Sequence, residues 1–183
     1  MSRRKLDKII FIDLEATCWA NVEEQGDQIS EIIEIGACML NVRTGQPERK
    51  TSYLIRPRKS TISKFCTELT SITPELIKSQ GIPFIDAINK FKKDFGRTTR
   101  TWASWGYYDK AEIERECVRH SIPYPMGRNH INAKNLYALK HGLSNELGMI
   151  AALQHAGIPH EGTHHRGDDD AWNCAKLLWN VLK

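Results

Sequence analysis

The chain has 183 residues, 40% of them hydrophobic, which predicts one globular domain that needs no disulfide or structural metal to fold. Its five cysteines show no C-x-x-C spacing and no stretch approaches the roughly 20 apolar residues of a membrane span, which excludes a zinc ribbon, a disulfide scaffold and a membrane protein. A net charge of +4 allows a polyanionic partner without requiring one. We therefore expect a single domain over residues 1–183, with a flexible basic segment at 1–7 and reduced thiols typical of the cytoplasm.

The first third of the chain predicts three strands. In the first strand, alternation places Ile10 and Ile12 on one face and Asp13 and Glu15 on the other. A polar, glycine-containing stretch follows and predicts a loop. The predicted elements are a strand at 8–14, the loop at 16–30, and strands at 31–41 and 49–55.

The remainder of the chain predicts helices around one further strand. Thr73-Pro74 is a typical helix start, with proline at the first helical position. The predicted elements are helices at 63–69 and from 74, a helix at 84–95, a strand at 100–105, a helix at 108–119, a loop rich in Pro, Gly and Asn, and helices at 145–156 and 169–182. A strand meander followed by a strand between helices favours an α/β fold with a mixed sheet flanked by helices.

The first strand ends in two carboxylates. Asp13 and Glu15 are two residues apart, so they project from one face of the strand at a separation of roughly 7 Å. A buried ionised carboxylate costs several kcal/mol unless something pairs with it. Either this strand end is exposed to solvent, as most D-x-E pairs are, or a cation binds there.

Two later segments carry further acidic groups. Asp109 lies at the start of a helix, where aspartate often serves as a cap. The segment THHRGDDDAWN places three aspartates in the first turn of the last helix, a position that the helix dipole favours. Asp170 also adjoins the apolar stripe of that helix, and His165 lies between Gly162 and Gly167, where it can move, which suits proton transfer.

These segments together resemble a known family. FIDLEATCW resembles the first motif of the DEDDh exonucleases of the ribonuclease-H-like superfamily, in particular the Eri-type and KapD-like 3′–5′ exonucleases. ISKFCTELTSIT is similar to the linker motif of that family, WASWGYYDK to its second motif and HHRGDDDAWN to its third. The resemblance implies a ribonuclease-H-like mixed β-sheet, with an antiparallel meander plus parallel strands, flanked by α-helices.

The resemblance also implies roles for individual residues. His164 and Asp169 have the same spacing as His165 and Asp170, but the family pattern places the ligand directly before the alanine of the last helix, which selects Asp170 and therefore His165. Asp168 departs from the pattern, since relatives have an apolar residue there. The implied set is Asp13, Glu15, Asp109 and Asp170 as metal ligands, Glu15 and His165 as catalytic residues, and Leu14, Glu15, Ala16, Trp19 and His165 as nucleotide-binding residues.

The implied activity is metal-dependent 3′–5′ hydrolysis of single-stranded nucleic acid, with RNA favoured and DNA also accepted, to nucleoside 5′-monophosphates. It implies two Mg²⁺ ions per site, replaceable by Mn²⁺, and a histidine general base. The partners are RNA or DNA 3′ ends, with no membrane and no protein partner indicated. Two alternatives stay open: a zinc site at His160, His164 and His165, and an inactive module of the same fold that only binds nucleic-acid ends.

Overall fold

The computed structural model describes residues 5–96 and 100–183, and in them five strands form one sheet in the order β3-β2-β1-β4-β5. The first three strands form an antiparallel meander, while β4 runs parallel to β1 and β5 runs parallel to β4. This is the predicted mixed sheet, so the fold prediction is confirmed. The strands are β1 (Lys5–Ala16), β2 (Ile32–Asn41), β3 (Pro47–Leu54), β4 (Arg100–Ser104) and β5 (His130–Asn132).

Helices cover both faces of the sheet. One face packs against α4 and α5, and the other packs against α6, α7 and α8. A smaller apolar cluster, built around Ile33, lies beneath α2 and α3. The helices are α1 (Val22–Gln25), α2 (Lys64–Thr70), α3 (Pro74–Gln80), α4 (Phe84–Phe95), α5 (Tyr108–Arg119), α6 (Ala133–Lys140), α7 (Met149–Ala156) and α8 (Gly167–Leu182).

Strand β1 is the central strand and is buried on both faces. Ile10 and Ile12 pack on the face that carries α4 and α5, whereas Phe11 packs on the face that carries α8. The predicted division of the strand into two faces is therefore confirmed. Because Asp13 and Glu15 follow Phe11 with the same alternation, they continue the α8 face at the end of the strand.

The beginning of α8 touches the sheet backbone directly. A Cβ atom at Gly36 of β2 would lie 1.7 Å from the carbonyl carbon of Gly167, and one at Gly167 would lie 3.0 Å from the carbonyl oxygen of Asp13. Only glycine has room for such an approach. The contact between these two glycines places the first turn of α8 beside the acidic end of β1.

Two predicted loops contain regular structure. The stretch at 16–30 includes α1, and the loop after α5 includes β5 and α6. The predictions were wrong there because asparagines that indicate loops serve as helix N-caps: Asn21 accepts a hydrogen bond from the backbone N–H of Glu24, and Asn132 accepts one from Asn135.

The N-terminal strand is longer than predicted. Lys5 pairs with Arg100 in parallel register, and the carbonyl of Asp7 accepts a hydrogen bond from the N–H of Val42 at 3.1 Å. Residues 5–7 therefore belong to β1 and not to a flexible segment, while residues 1–4 lie outside the described residues. Over the ranges that the structure describes, no helix combines the length and apolar character needed to cross a membrane.

Candidate active site

The end of β1 carries two acidic residues in a largely dry environment. Glu15 is buried with a relative exposure of 7%, and Asp13 is half-buried. In the antiparallel register with β2, Asp13 faces Gly36 and Glu15 faces Glu34, and the register shifts between Glu15 and Ala16. Such irregularities are frequent beside active sites, where they redirect side chains. The strand end is therefore not a simple solvated terminus.

Helix α5 contributes Asp109 to the same place. This side chain is buried, and its Oδ1 accepts a hydrogen bond from the N–H of Leu14 at 3.0 Å. Tyr107 occupies the N-cap position of α5 without a side-chain capping bond. The interpretation of Asp109 as a helix cap is therefore wrong, because its carboxylate binds the central strand.

The segment before α8 brings His165 and Asp170 to the carboxylates. One ring nitrogen of His165 and one oxygen each of Glu15 and Asp170 lie within 4.8 Å of one another. The backbone N–H of His165 donates to Asp170 Oδ2 at 3.0 Å, and His165 adopts a left-handed φ of 62°. Left-handed backbone is uncommon outside glycine, so this histidine is held in place by the contacts around it.

The neighbouring pair with the same spacing has different partners. Asp169 forms an ion pair with Lys50 and accepts a hydrogen bond from the N–H of Thr163 at 2.8 Å. His164 stacks on His165 with ring centroids 3.8 Å apart, and its Nδ1 lies 3.0 Å from Asp170 Oδ2. Asp169 thus anchors the loop before α8, whereas Asp170 lies in the acidic cluster.

Burial raises the pKa of every carboxylate in this cluster, and repulsion within the cluster adds to the rise at Asp13 and Glu15. Burial raises the pKa of Asp13 well above its ordinary value, and Asp109, Glu15 and Asp170 raise it further. Burial, with repulsion from Asp170, raises the pKa of Glu15 to about 8. The pKa of Asp109 rises to about 7 by burial, although the hydrogen bond from Leu14 opposes the rise. Burial also raises the pKa of Asp170 to about 6, opposed by its hydrogen bond from His165.

A divalent cation fits this cluster better than protons do. Carboxylate oxygens are the ligands that Mg²⁺ and Mn²⁺ prefer, and bound cations would relieve the repulsion that raises these pKa values. The buried Oδ1 of Asp170 has no hydrogen-bond partner among the described residues, which leaves it available to a ligand. The residues present therefore match a divalent-cation site.

The histidine has the protonation state that a base needs. Burial lowers the pKa of His165 below its ordinary value, and the adjacent His164 lowers it further, while Asp170 opposes these effects. A histidine whose pKa lies below 6.5 is neutral at pH 7. It can therefore accept a proton.

Sequence reasoning missed Glu34, which supports the site from β2. Its side chain is fully buried, and it binds the guanidinium of Arg166 through Oε1 at 2.9 Å and Oε2 at 3.2 Å. Oε2 also accepts a hydrogen bond from the N–H of Gly167 at 2.8 Å. Glu34 thereby fixes the backbone that follows His165. The available signal was a glutamate inside an otherwise apolar strand pattern, IIEIGACML.

The residues implied to bind nucleotides continue from β1. The side chain of Leu14 is buried on the face opposite Asp13, so only its backbone can face the site. Ala16 and Trp19 are half-buried, and the indole Nε1 of Trp19 is buried without a partner among the residues that the structure describes. Asp168 is half-buried in the first turn of α8, and burial raises its pKa.

The three histidines of the zinc alternative do not share one group. Within the described ranges, His160 and His164 form a potential ligand group with Asp170, while His165 forms a separate one with Glu15 and Asp170. The alternative as predicted, with all three histidines at one ion, therefore does not match the geometry.

Comparison with known proteins finds exonucleases. A family model described as Exonuclease (RNase_T) matches residues 10–178. Human (Homo sapiens) ERI1 exoribonuclease 2 is 29% identical over 208 residues, covering 100% of this chain and 29% of that protein. The probable 3′-5′ exonuclease KapD of Bacillus subtilis is 27% identical over 173 residues, covering 94% of this chain and 83% of KapD. The chain therefore spans less than a third of the length of the human relative.

A solved structure shows the same fold. The nuclease domain of 3′hExo, described as a DEDDh family member bound to rAMP, superposes with a TM-score of 0.84 at 24% identity, covering 99% of this chain and 94% of that domain. The family model covers almost the whole chain, and the acidic residues and histidine of the motifs converge at the end of β1. The chain therefore belongs to the exonuclease family that the RNase_T model describes, and it has the fold of the DEDDh nuclease domain of 3′hExo.

Proposed function

We propose that the domain, taken as residues 1–183, hydrolyses single-stranded nucleic acid from the 3′ end and releases nucleoside 5′-monophosphates. One observation carries the proposal: an oxygen each of Glu15 and Asp170 and a ring nitrogen of His165 lie within 4.8 Å of one another, and Asp13 and Asp109 belong to the same acidic cluster. Such a pairing of mutually repelling acids with a neutral base is typical of hydrolytic sites.

The four carboxylates would hold two Mg²⁺ ions, or Mn²⁺ in their place. When bound, these cations supply positive charge that activates the attacking water and stabilises the leaving 3′-oxygen. Asp109 is already oriented for this task, because the N–H of Leu14 fixes its Oδ1. Burial raises the pKa of Glu15, whose exposure is only 7%, to about 8, so a bound cation would favour its ionised form at neutral pH.

His165 would act as the general base that accepts the proton of the attacking water. Its backbone N–H is tied to Asp170, and Glu34 holds the backbone two residues further on. The ring nitrogen near Glu15 and Asp170 is therefore kept beside the place where the cations and the water would meet.

We propose that RNA is the favoured substrate and that the enzyme also hydrolyses DNA. The names of the relatives support RNA: the human relative is an exoribonuclease, and 3′hExo binds rAMP. The terminal nucleotide would contact Glu15 and His165, the backbone of Leu14 and Ala16, and the ring of Trp19. Base stacking on an aromatic ring tolerates every base, so this contact would not select a sequence.

We propose a cytoplasmic location, which the five free cysteines support. Burial raises the pKa of Cys38, Cys117 and Cys174, which keeps these thiols protonated and unreactive. Free buried thiols fit a reducing compartment.

Digestion of RNA and DNA oligonucleotides that carry a label at the 5′ end tests the activity. With Mg²⁺ we expect progressive shortening from the 3′ end and 5′-monophosphate products, and no activity in excess EDTA. Asp13→Asn should abolish turnover and keep the fold. Glu75→Gln, an exposed change on α3, is the matched control and should keep full activity. Products with 3′-phosphates, or full activity in EDTA, would refute the proposal. The alternative, an inactive end-binding module, predicts binding without turnover.

A further inference from the structure

Beside the catalytic cluster lies a second group of potential metal ligands, and the proposed mechanism does not use its two histidines. The side chains of His160, His164 and Asp170 each offer one atom, and these three atoms lie within 4.8 Å of one another. His160 and His164 come from the loop between α7 and α8, and Asp170 comes from the first turn of α8. Only Asp170 is shared with the four carboxylates of the catalytic site.

Two buried polar atoms of this group face each other without a hydrogen bond. Nε2 of His160 and Oδ1 of Asp170 are both buried and both lack a partner among the described residues. They are 3.9 Å apart, which is too long for a hydrogen bond. The side chain of Asp170 is only 7% exposed, so bulk water does not reach Oδ1 to form the missing hydrogen bond. An ion between the two atoms would satisfy both.

The separations suit one small ion. Two ligands of a tetrahedral Zn²⁺ at about 2.0–2.1 Å from the metal lie about 3.3 Å from each other. The two nitrogen–oxygen separations lie on either side of that value and end on different oxygens of Asp170. His160 Nε2 lies 3.9 Å from Oδ1, and His164 Nδ1 lies 3.0 Å from Oδ2. Small side-chain rotations would bring the three ligand atoms to one ion, and water would take the fourth position.

The loop that carries the histidines is anchored independently of them. Asn173 of α8 accepts a hydrogen bond from the N–H of Glu161 at 3.0 Å and donates one to its carbonyl at 2.8 Å. Asp169 binds the N–H of Thr163 at 2.8 Å. The backbone next to His160 and His164 is thus held before any ion arrives, which favours binding because less ordering is left to the binding step.

We propose that His160, His164 and Asp170 form a binding site for Zn²⁺ that is distinct from the catalytic cation site. Two imidazoles and one carboxylate are a ligand set that zinc takes readily, and imidazole does not suit Mg²⁺. Because the site uses Asp170, its occupation withdraws that carboxylate from the catalytic cations. Zn²⁺ therefore inhibits the enzyme at Mg²⁺ concentrations that support turnover. This inhibitory consequence rests on the proposed exonuclease function; the binding itself does not.

Metal binding is measured without substrate. Calorimetric titration with Zn²⁺ and the visible spectrum of added Co²⁺, both in excess Mg²⁺ that occupies the catalytic carboxylates, should show one site in the unaltered protein. His160→Gln should weaken Zn²⁺ binding by more than about tenfold, since even the loss of an outer partner of a metal ligand has that effect. His141→Gln, a change at a half-buried histidine outside the group, is the matched control and should bind Zn²⁺ as before. His164→Gln repeats the test if His160→Gln does not fold.

A second variant excludes binding at the catalytic carboxylates. Asp13→Asn weakens that cluster and leaves the three proposed ligands intact, so its Zn²⁺ binding should persist. Unchanged Zn²⁺ affinity in both histidine variants, or its loss in Asp13→Asn, would overturn the site.

Inhibition is measured separately on an RNA oligonucleotide. With Mg²⁺ alone, the nuclease activity of His160→Gln should equal that of the unaltered protein. Half inhibition of the variant should require more than about tenfold more Zn²⁺. Equal Zn²⁺ sensitivity would overturn the inhibitory role. Absence of all nuclease activity would instead refute the proposed function and leave the binding result to decide the site.

Discussion

At the scale of single residues, the site separates two adjacent histidines by their surroundings. The backbone N–H of His165 donates a hydrogen bond to Asp170, and a ring nitrogen of His165 lies near Glu15. His164 stacks on the ring of His165, and its side chain is 40% exposed. If His164 were the base, Asp169 would be the metal ligand, but Asp169 forms an ion pair with Lys50. The contacts favour His165 as the base.

We predict that His165→Ala lowers kcat by about 10²–10⁴-fold, the usual contribution of a general base, with little change in substrate binding. His164→Ala should be far milder. Single-turnover rates in zinc-free buffer, with substrate affinity measured in Ca²⁺ in place of Mg²⁺, check both variants. The reverse ranking would contradict the assignment and move the ligand role to Asp169.

The raised pKa values predict how stability depends on pH. The pKa of Glu15 rises from an ordinary 4.5 to about 8 on folding, so between these values the folded state holds a proton that the unfolded state has released. Stability from this group is complete below its unfolded pKa and is lost as pH rises through its folded pKa. Asp13 and Asp109, whose pKa values are also raised, act in the same direction.

We therefore expect the Tm of the metal-free protein to fall as pH rises from about 5 to about 9, and Mg²⁺ to restore it at the upper end, where the carboxylates are ionised. Thermal melts in EDTA and in Mg²⁺ measure this. Glu15→Gln should flatten the metal-free slope, and Glu75→Gln should keep it. A slope that Glu15→Gln leaves unchanged would show that the acidic cluster does not cause it.

At the scale of secondary-structure elements, the start of α8 decides whether the site exists. The Gly36–Gly167 contact and the Glu34–Arg166 pair both join β2 to this turn. Glu34 and Arg166 are 132 positions apart in the chain, so the fold must form before the pair can. Removing one partner of such a pair strongly destabilises the fold, because the other charge stays buried without compensation.

We predict that Gly36→Ala lowers the free energy of unfolding by at least about 1–3 kcal/mol, the usual range for an overpacked core, because its Cβ would overlap the Gly167 backbone. Nuclease activity should fall as the first turn of α8 moves away from β1. Urea denaturation measures the change. Gly148→Ser is the control: a Cβ there meets nothing within 4 Å, so its effect should stay within about 0.5 kcal/mol. An unchanged unfolding midpoint in Gly36→Ala would contradict the packing argument.

At the scale of the whole molecule, the architecture bears on the form of the substrate. Residues 5–96 and 100–183 contain one sheet and the helices around it, with no inserted domain that could separate paired strands. A 3′ nucleotide in a duplex must be unpaired and unstacked before it enters the site, at a cost of a few kcal/mol.

We accordingly expect single strands and 3′ overhangs to be degraded faster than a blunt duplex of the same sequence, and digestion to slow at a stable stem. Initial rates on matched single-stranded, overhanging and blunt RNA substrates measure this. Trp19→Ala should weaken binding of all four terminal bases similarly, by about 1–3 kcal/mol if its ring stacks on them. Equal rates on blunt duplex and single strand would show the expectation to be wrong.

Secondary-structure elements and site residues with local sequence signals could be predicted from the amino-acid sequence alone. Strand alternation placed Asp13 and Glu15 on one face of β1, a Thr-Pro start marked α3, and the helical spacing over 84–95 matched α4. Local signals failed where asparagines cap helices, because the same residue type also favours turns.

Contacts between residues that are distant in the sequence could not be predicted in this way. The glycine contact beneath α8, the support from Glu34 and the pairing of His160 and His164 with Asp170 depend on the packing of a loop and a helix against a sheet. No local pattern encodes them, because each requires chain segments to approach within contact distance after the core has formed. The sequence thus determined which groups are available for chemistry, and packing determined which of them share a site.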